Sequence, residues 1–180
     1  MDLVSGLDFD EMFRTFEHSA FRLEVRERYG VYYEDDPVSQ FLRSEPMDLR
    51  YMESWLGIMM IQTMQGKRIE RVRVVSRPYS DYTRYGLWLS EYNVRAGEDI
   101  RYLDRKDADA LPDHDFWLFD NSRLYMVRFD ESDDLLGFEL IDDPAIVVQH
   151  CHWREVAWRH AVRRAEFLKA NGGYERPTGP

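Results

Sequence analysis

The spacing of apolar and polar positions changes period several times along the chain, and each change marks an element. Phe9, Met12, Phe13 and Phe16 recur at helical spacing behind Asp8, a residue type that caps helix starts, so an amphipathic helix is expected from Asp8 to about His18. Phe21, Leu23 and Val25 then alternate with Arg22, Glu24 and Arg26, the signature of a half-buried strand running toward Gly30. A short helix follows over Pro37 to Arg43. A longer one runs from Asp48 to Gln65, with Met52, Trp55, Leu56, Met59, Ile61 and Met64 on a broad apolar surface and Gly66 at its close.

Ile69, Val72, Val74 and Val75 have the β-branched character of a largely buried strand, ended by Ser76-Arg77-Pro78. Ser80 and Asp81 can cap a helix reaching about Tyr92, and Ala96-Gly97 stops it. Glu98 to Leu103 reads as a short strand, Arg105 to Leu111 as a charged connection, and Phe138 to Ile141 as a late strand. Asp143-Pro144 opens a terminal helix with an N-cap and a proline at the first helical position; Val147, Cys151, Trp158, Val162, Ala165 and Leu168 form its inward stripe. The segment from Gly172 to Pro180 is expected to be loose, leaving residues 1–171 as one domain. The order β, α, β, consecutive strands, then α predicts an α/β or α+β fold, one mixed sheet flanked by helices.

Charge sharpens this picture through its placement. Of the net charge of −10, all falls between Glu98 and Asp143, where fifteen acids face five bases; elsewhere nineteen acids are matched by nineteen bases. A phosphate backbone would meet net repulsion there, so direct nucleic-acid binding is not expected. Lys67 to Arg77 and Arg154 to Lys169 are basic segments that suit a solvated strand or helix face. The single cysteine, Cys151, excludes an internal disulfide and fits a reducing compartment. The first residues resemble neither a secretory signal nor a membrane anchor, and a cytoplasmic location is expected.

Candidate chemistry centres on Asp115-Phe-Trp-Leu-Phe-Asp120, a strand that meets the turn Asn121-Ser122 and a second strand, Arg123 to Asp130. Asp120 would aim its carboxylate out of the sheet end. Arg73, Arg77 and Arg84, with the free N–H groups behind Ser80 and Asp81, offer a clamp for an anion or a partner carboxylate, with Asp81 fixing the turn. The structural alternative is that Ser80 and Asp81 cap the helix and the arginines pair with acids such as Glu98, Asp99 and Asp120. His150 and Arg154 share a helix face four residues apart and complete a polar cluster with Asp120. His150, Cys151 and His152 are too close in sequence to share a face as metal ligands, so neither a metal nor a cofactor is expected. The Met52, Met59, Met60 and Met64 run is either core or a partner groove.

Between Phe13 and about Trp158 the chain resembles an actinobacterial domain family of unassigned function, often encoded beside Xre-type helix-turn-helix regulators. The matching words are Ser19-Ala-Phe-Arg-Leu-Glu24, Arg71-Val-Arg-Val-Val-Ser76 with Ser80-Asp81-Tyr82, Gly97-Glu-Asp-Ile-Arg101, Asp115 to Asp120, and Asp142-Asp-Pro144 with His150 and Trp153-Arg154. A fainter resemblance is to phospholipase-D-like domains, whose half-site places His and Lys ahead of an Asp. Counting back from Asp120 puts Asp113 and Asp115 at those positions, which implies a degenerate, non-hydrolytic relative.

The expectation is therefore a non-catalytic regulatory or ligand-sensing module that takes a small anion and works with a helix-turn-helix partner protein. Two alternatives stand beside it. One is a phosphoesterase or transferase using His150 as acid or base and Asp120 to orient it. The other is a protein-interaction scaffold without a small ligand.

Overall fold

The structure, a computed structural model, describes residues 3–4, 6–30 and 35–171. The side chains of Asp8 and Phe9 and the tail expected from Gly172 onward lie outside what is described. The strands are β1 (Leu3–Val4), β2 (Ser19–Glu24), β3 (Arg68–Val75), β4 (Asp99–Asp104), β5 (Phe116–Phe119), β6 (Arg123–Phe129), β7 (Leu135–Ile141) and β8 (Val162–Arg163). The helices are α1 (Gly6–Thr15), α2 (Asp35–Leu42), α3 (Glu53–Met64), α4 (Asp81–Arg95), α5 (Pro144–His160) and α6 (Arg164–Ala170).

The strands form one mixed sheet in the order β1-β7-β6-β5-β2-β3-β4-β8. β2, β3 and β4 are parallel, joined by helical crossovers, while β5, β6, β7 and β1 continue the sheet antiparallel from the other edge of β2. β2 is thus an interior strand, and because helices pack on both faces of the sheet it is buried on both rather than half-buried. Its polar residues, Arg22 and Glu24, point into the molecule.

Alternation along the strands builds two faces. Ala20, Ile69, Trp117, Phe119, Tyr125, Val127 and Phe138 pack with Met12, Phe13 and Phe16 around α1 and with Ile58 and Met59 of α3. Phe13 is the hub, with its ring edge-on to Trp55, Trp117 and Phe119 at 4.8 to 5.2 Å. On the opposite face, Phe21, Leu23, Val72, Val74, Phe116 and Leu118 pack with Val147 and Ala157 of α5. The methionine run divides accordingly: Met52 and Met59 are core, whereas Met60 and Met64 of α3 are exposed together with Ile61.

Helix boundaries follow local chemistry. Ser80 Oγ accepts the N–H of Thr83 at 3.1 Å and starts α4; Asp143 Oδ1 accepts that of Ala145 at 2.8 Å and starts α5 with Pro144 in the first turn. The expected terminal helix does not run through. It stops at His160, Ala161 is extended, and Val162–Arg163 pairs antiparallel with Arg101 and Tyr102 along the free edge of β4 before α6 begins. Arg101 secures the break by lying over the Trp158 ring at 3.6 Å and donating to the Trp158 carbonyl. Val162 is consequently exposed instead of inward. Covering an open strand edge outweighs the helical propensity of this segment.

Candidate functional site: a charged cavity on one sheet face

On the face that carries Ala20 and Ile69, the next alternating positions toward the C-terminal ends of the parallel strands are charged: Arg22 and Glu24 on β2, Arg71 and Arg73 on β3. Tyr102 continues the row on β4 beside Arg73. α1 and α3 cover the apolar half of this face, and α4 passes over the charged half. Between them lies a cavity of about 370 Å³ whose walls include Tyr29, Tyr51, Trp55, Tyr82, Tyr85, Phe129 and Phe138. The C-terminal ends of parallel strands are a common place for ligand sites in open sheets.

Glu24 is the centre of the charge network. Its Oε2 accepts from Arg73 Nη1 at 3.1 Å, and its Oε1 lies 3.1 Å from Arg22 Nε and 3.4 Å from Arg71 Nη1. Burial by itself would raise the Glu24 pKa, but the three guanidinium charges outweigh it and bring it down to about 2. Glu98 holds the next node, accepting from Arg71 Nη2 and Asn93 Nδ2 at 2.7 Å each and from Trp55 Nε1 at 3.1 Å. Asp115 accepts the N–H of Val25 at 2.9 Å and lies 4.0 Å from Arg22; burial raises its pKa against the pull of Arg22 and the Tyr29 hydroxyl.

Arg73 is held differently from its neighbours. Its guanidinium sits 5.1 Å from the Tyr29 ring centre and 5.4 Å from that of Tyr82, and only 8% of the residue is exposed. Gly86 of α4 passes beside it; a Cβ there would stand 3.9 Å from Arg73 Cζ. Nη1 is bonded to Glu24, while Nε and Nη2 are buried without a hydrogen-bond partner in the protein. Buried donors of this kind are costly unless something accepts from them.

The structure separates the residues singled out from sequence. Arg73 lines the cavity. Arg77 lies beyond β3, pairs with Asp104 at 2.8 Å and donates to Asn171. Asp81 and Arg84 are exposed on the first turn of α4, 4.0 Å apart. Asp120 is at the other end of the sheet, because β5 pairs antiparallel with β2 and its C-terminus therefore meets the start of that strand. There the Asp120 carboxylate accepts three backbone N–H groups, from Glu17 at 2.9 Å, His18 at 2.7 Å and Ser19 at 2.9 Å. Burial would raise its pKa, but these donors and Arg123 lower it. Arg154 is on the opposite face, where it pairs with Glu70 at 2.5 Å.

His150 is also on that opposite face, and no hydrogen bond joins it to Asp120. Its Nδ1 lies 2.8 Å from the Ile146 carbonyl and its Nε2 lies 3.0 Å from Nε2 of His114. A carbonyl only accepts, so Nδ1 carries the His150 proton and His114 donates across the ring pair. Burial lowers both pKa values; the His114 ring adds to the lowering at His150, while Asp113 opposes it at His114 without overcoming it. Each folded pKa therefore falls below the ordinary value of 6.5. Stability is full above that value and declines as pH falls through the window beneath it, because the unfolded chain takes up protons first. The expected result is a lower melting temperature on the acid side. Thermal melts at pH 7.5 and 5.5 measure it, and His114→Gln is expected to flatten the difference. An unchanged slope in that variant would remove the pair as its source.

Sequence reasoning missed Glu24, Tyr29 and the cover supplied by Tyr82 and Gly86. A usable signal was present: Arg22-Leu-Glu24 and Arg71-Val-Arg73 both put charges at alternate positions of apolar strands. If such strands are interior, the charges must meet one another.

The fold and this cavity define a mixed-sheet domain with a charged, aromatic-walled cavity over the ends of its parallel strands. The chain belongs to the DUF6879 family, described as a domain of unknown function, whose model matches residues 7–169. No curated protein matches the chain. Among the described residues no helix is long and apolar enough to cross a membrane.

Proposed function

We propose that this protein is a non-catalytic ligand-sensing module that binds a small anionic compound in the cavity over β2, β3 and β4. The observation that carries the reading is the cavity itself, about 370 Å³, walled by aromatic rings and by the charged side chains of Arg22, Glu24, Arg71 and Arg73 from two adjacent parallel strands. Among the described residues the cavity walls contain neither histidine nor cysteine, and the hydroxyl of Ser90 is engaged with the Leu87 carbonyl, Tyr102 and Arg164. Among the described residues no activated nucleophile stands there, which favours binding over turnover. On the phospholipase-D-like reading the domain is a degenerate one, since Asp113, fully exposed, and Asp115, buried against Val25 and Arg22, stand where that chemistry needs His and Lys.

The resemblance to domains encoded beside helix-turn-helix regulators supplies the proposed reader of the bound state, since the acidic middle of this chain disfavours direct contact with DNA. An interaction scaffold is the second reading, and its support is the exposed stripe of Met60, Ile61 and Met64 on α3. Native mass spectrometry of protein purified from its own host tests the first reading. The wild-type chain is expected to carry a small-molecule mass adduct that Gly86→Phe, which places a ring beside Arg73, does not. Equal spectra from two folded proteins would overturn it.

A further inference from the structure

The three arginines of the cavity differ in what they have left to give. Arg71 donates from Nη2 to Glu98 at 2.7 Å and from Nη1 to Glu24 at 3.4 Å, and its Nε is buried. Arg73 donates from Nη1 to Glu24, and its Nε and Nη2 are closed off from the cavity. Arg22 is the reverse case. Its Nε is buried against Glu24 Oε1 at 3.1 Å, but among the described residues neither of its terminal nitrogens has a hydrogen-bond partner, and neither is sealed off. Nη2 lies 4.0 Å from Asp115 Oδ2, beyond hydrogen-bond reach. The Arg22 side chain lines the cavity and keeps 20% of its surface, against 9% for Arg73. Its guanidinium is also fixed in place, 5.6 Å from the Tyr29 ring centre and 5.3 Å from that of Trp117, so the Nη1 and Nη2 end is a set feature of the wall.

We propose that Arg22 is the residue that reads the ligand, and that the ligand is a ring compound whose head presents oxygen acceptors to Nη1 and Nη2 of Arg22 while its body lies among the rings of Trp55, Tyr85, Phe129 and Phe138. The inference rests on the ligand-sensing reading above and assigns its contact residue and the direction of its hydrogen bonds. A guanidinium only donates. The groups that could accept from a ligand's N–H or ammonium are withdrawn: the side chains of Glu24, Glu98 and Asp115 are at most 4% exposed, and each is already engaged by arginine or a backbone N–H. The reachable part of the network therefore offers donors and hides its acceptors, so an acceptor head is taken and a donor head is not. Selection is by hydrogen-bond direction, and it holds for an anionic and a neutral oxygen alike. The wall composition fits the body: rings line the cavity opposite the charged strands, and its volume of about 370 Å³ is in the range of small-molecule sites.

The test titrates the full chain with three probes that share one ring, 4-fluorophenylacetate, 4-fluoroacetophenone and 4-fluorophenethylamine, and follows binding by fluorine NMR. The first two carry an anionic and a neutral oxygen head; the third carries an ammonium, which only donates. Each oxygen head is expected to bind at least about tenfold more tightly than the amine, the usual worth of a hydrogen bond to a charged group, and the tighter of the two gives the charge of the natural head. Arg22→Met keeps an apolar stem and removes both free nitrogens, while Glu24 retains Arg71 and Arg73, so this variant is expected to bring both oxygen heads down to the affinity of the amine. The wild-type comparison stands even if that variant does not fold. Equal affinity for all three probes, tighter binding of the amine, or a preference that survives in folded Arg22→Met overturns the assignment to Arg22 and leaves the cavity a ligand site. No binding of any probe overturns both readings.

Discussion

Glu24→Gln is expected to lower unfolding free energy by about 3 kcal/mol, because breaking a buried ion pair from one side strands the charges on the other. Three cations lose their shared counter-ion at once: Arg22, Arg71 and Arg73 all approach the Glu24 carboxylate within 3.4 Å. The substitution conserves volume, so the loss reports charge and not packing. Urea denaturation at pH 7 measures it, and a variant within about 0.5 kcal/mol of wild type, the range of ordinary surface changes, would show that the network is not held by Glu24. The same residue predicts an acid limb. Its folded pKa of about 2 lies below the ordinary 4.5, so the folded state resists protonation that the unfolded chain accepts. The stability it contributes is complete above pH 4.5 and is lost as pH falls toward 2, about 3 kcal/mol in all. Glu24→Gln should lack this part of the acid dependence, which a comparison of urea midpoints at pH 5 and pH 3 resolves.

Asp120→Ala is the second large effect, about 2 to 4 kcal/mol, and its cause is backbone rather than side-chain partners. The carboxylate ties together Glu17, His18 and Ser19, the link between α1 and the first residue of β2, across a turn in which Asp120 and Asn121 take φ values of +52° and +54°. Such a turn tolerates Asp and Asn better than most residues, so alanine adds conformational strain to the lost bonds. Asp120→Gly separates the two contributions: it relieves the positive φ but still leaves the three N–H groups without their acceptor. It should recover only a minor part of the loss, about 1 kcal/mol. Full recovery with glycine would mean that the turn conformation, not the carboxylate, is what the position supplies.

These two acids show where sequence reasoning succeeded and where it stopped. Asp120 stands out in the sequence as a residue where a strand meets a turn, and so it is. Its partners were out of reach, because whether β5 runs parallel or antiparallel to β2 decides which end of the sheet it occupies. Antiparallel pairing puts it beside Ser19, far along the sheet from Arg77, and the cluster expected of Asp120, His150 and Arg154 with Arg73 and Arg77 is divided between two ends and two faces. Glu24 shows the complementary failure. Its alternation with Leu23 and Val25 is the same pattern that a solvent-facing strand displays, and only the helices packed over that face of the sheet bury its polar side.

What the residues determined by themselves was local. Periodicity placed the helices and strands, Ser80 and Asp143 set helix starts through their side-chain oxygens, and alternation put Arg71 and Arg73 on one side of a buried strand. Those outcomes depend on neighbours a few residues away, and the forces that produce them, hydrogen bonds to nearby N–H groups and burial of one stripe, are already encoded at that range. What only the tertiary structure decided was strand order, strand direction and the fate of edges. They placed Glu24 among three arginines, broke the last helix to cover β4, and brought Tyr29 and Tyr82 from separate segments against Arg73. The physical reason is that a buried charge is settled by partners distant in sequence, and no local pattern carries the position of those partners.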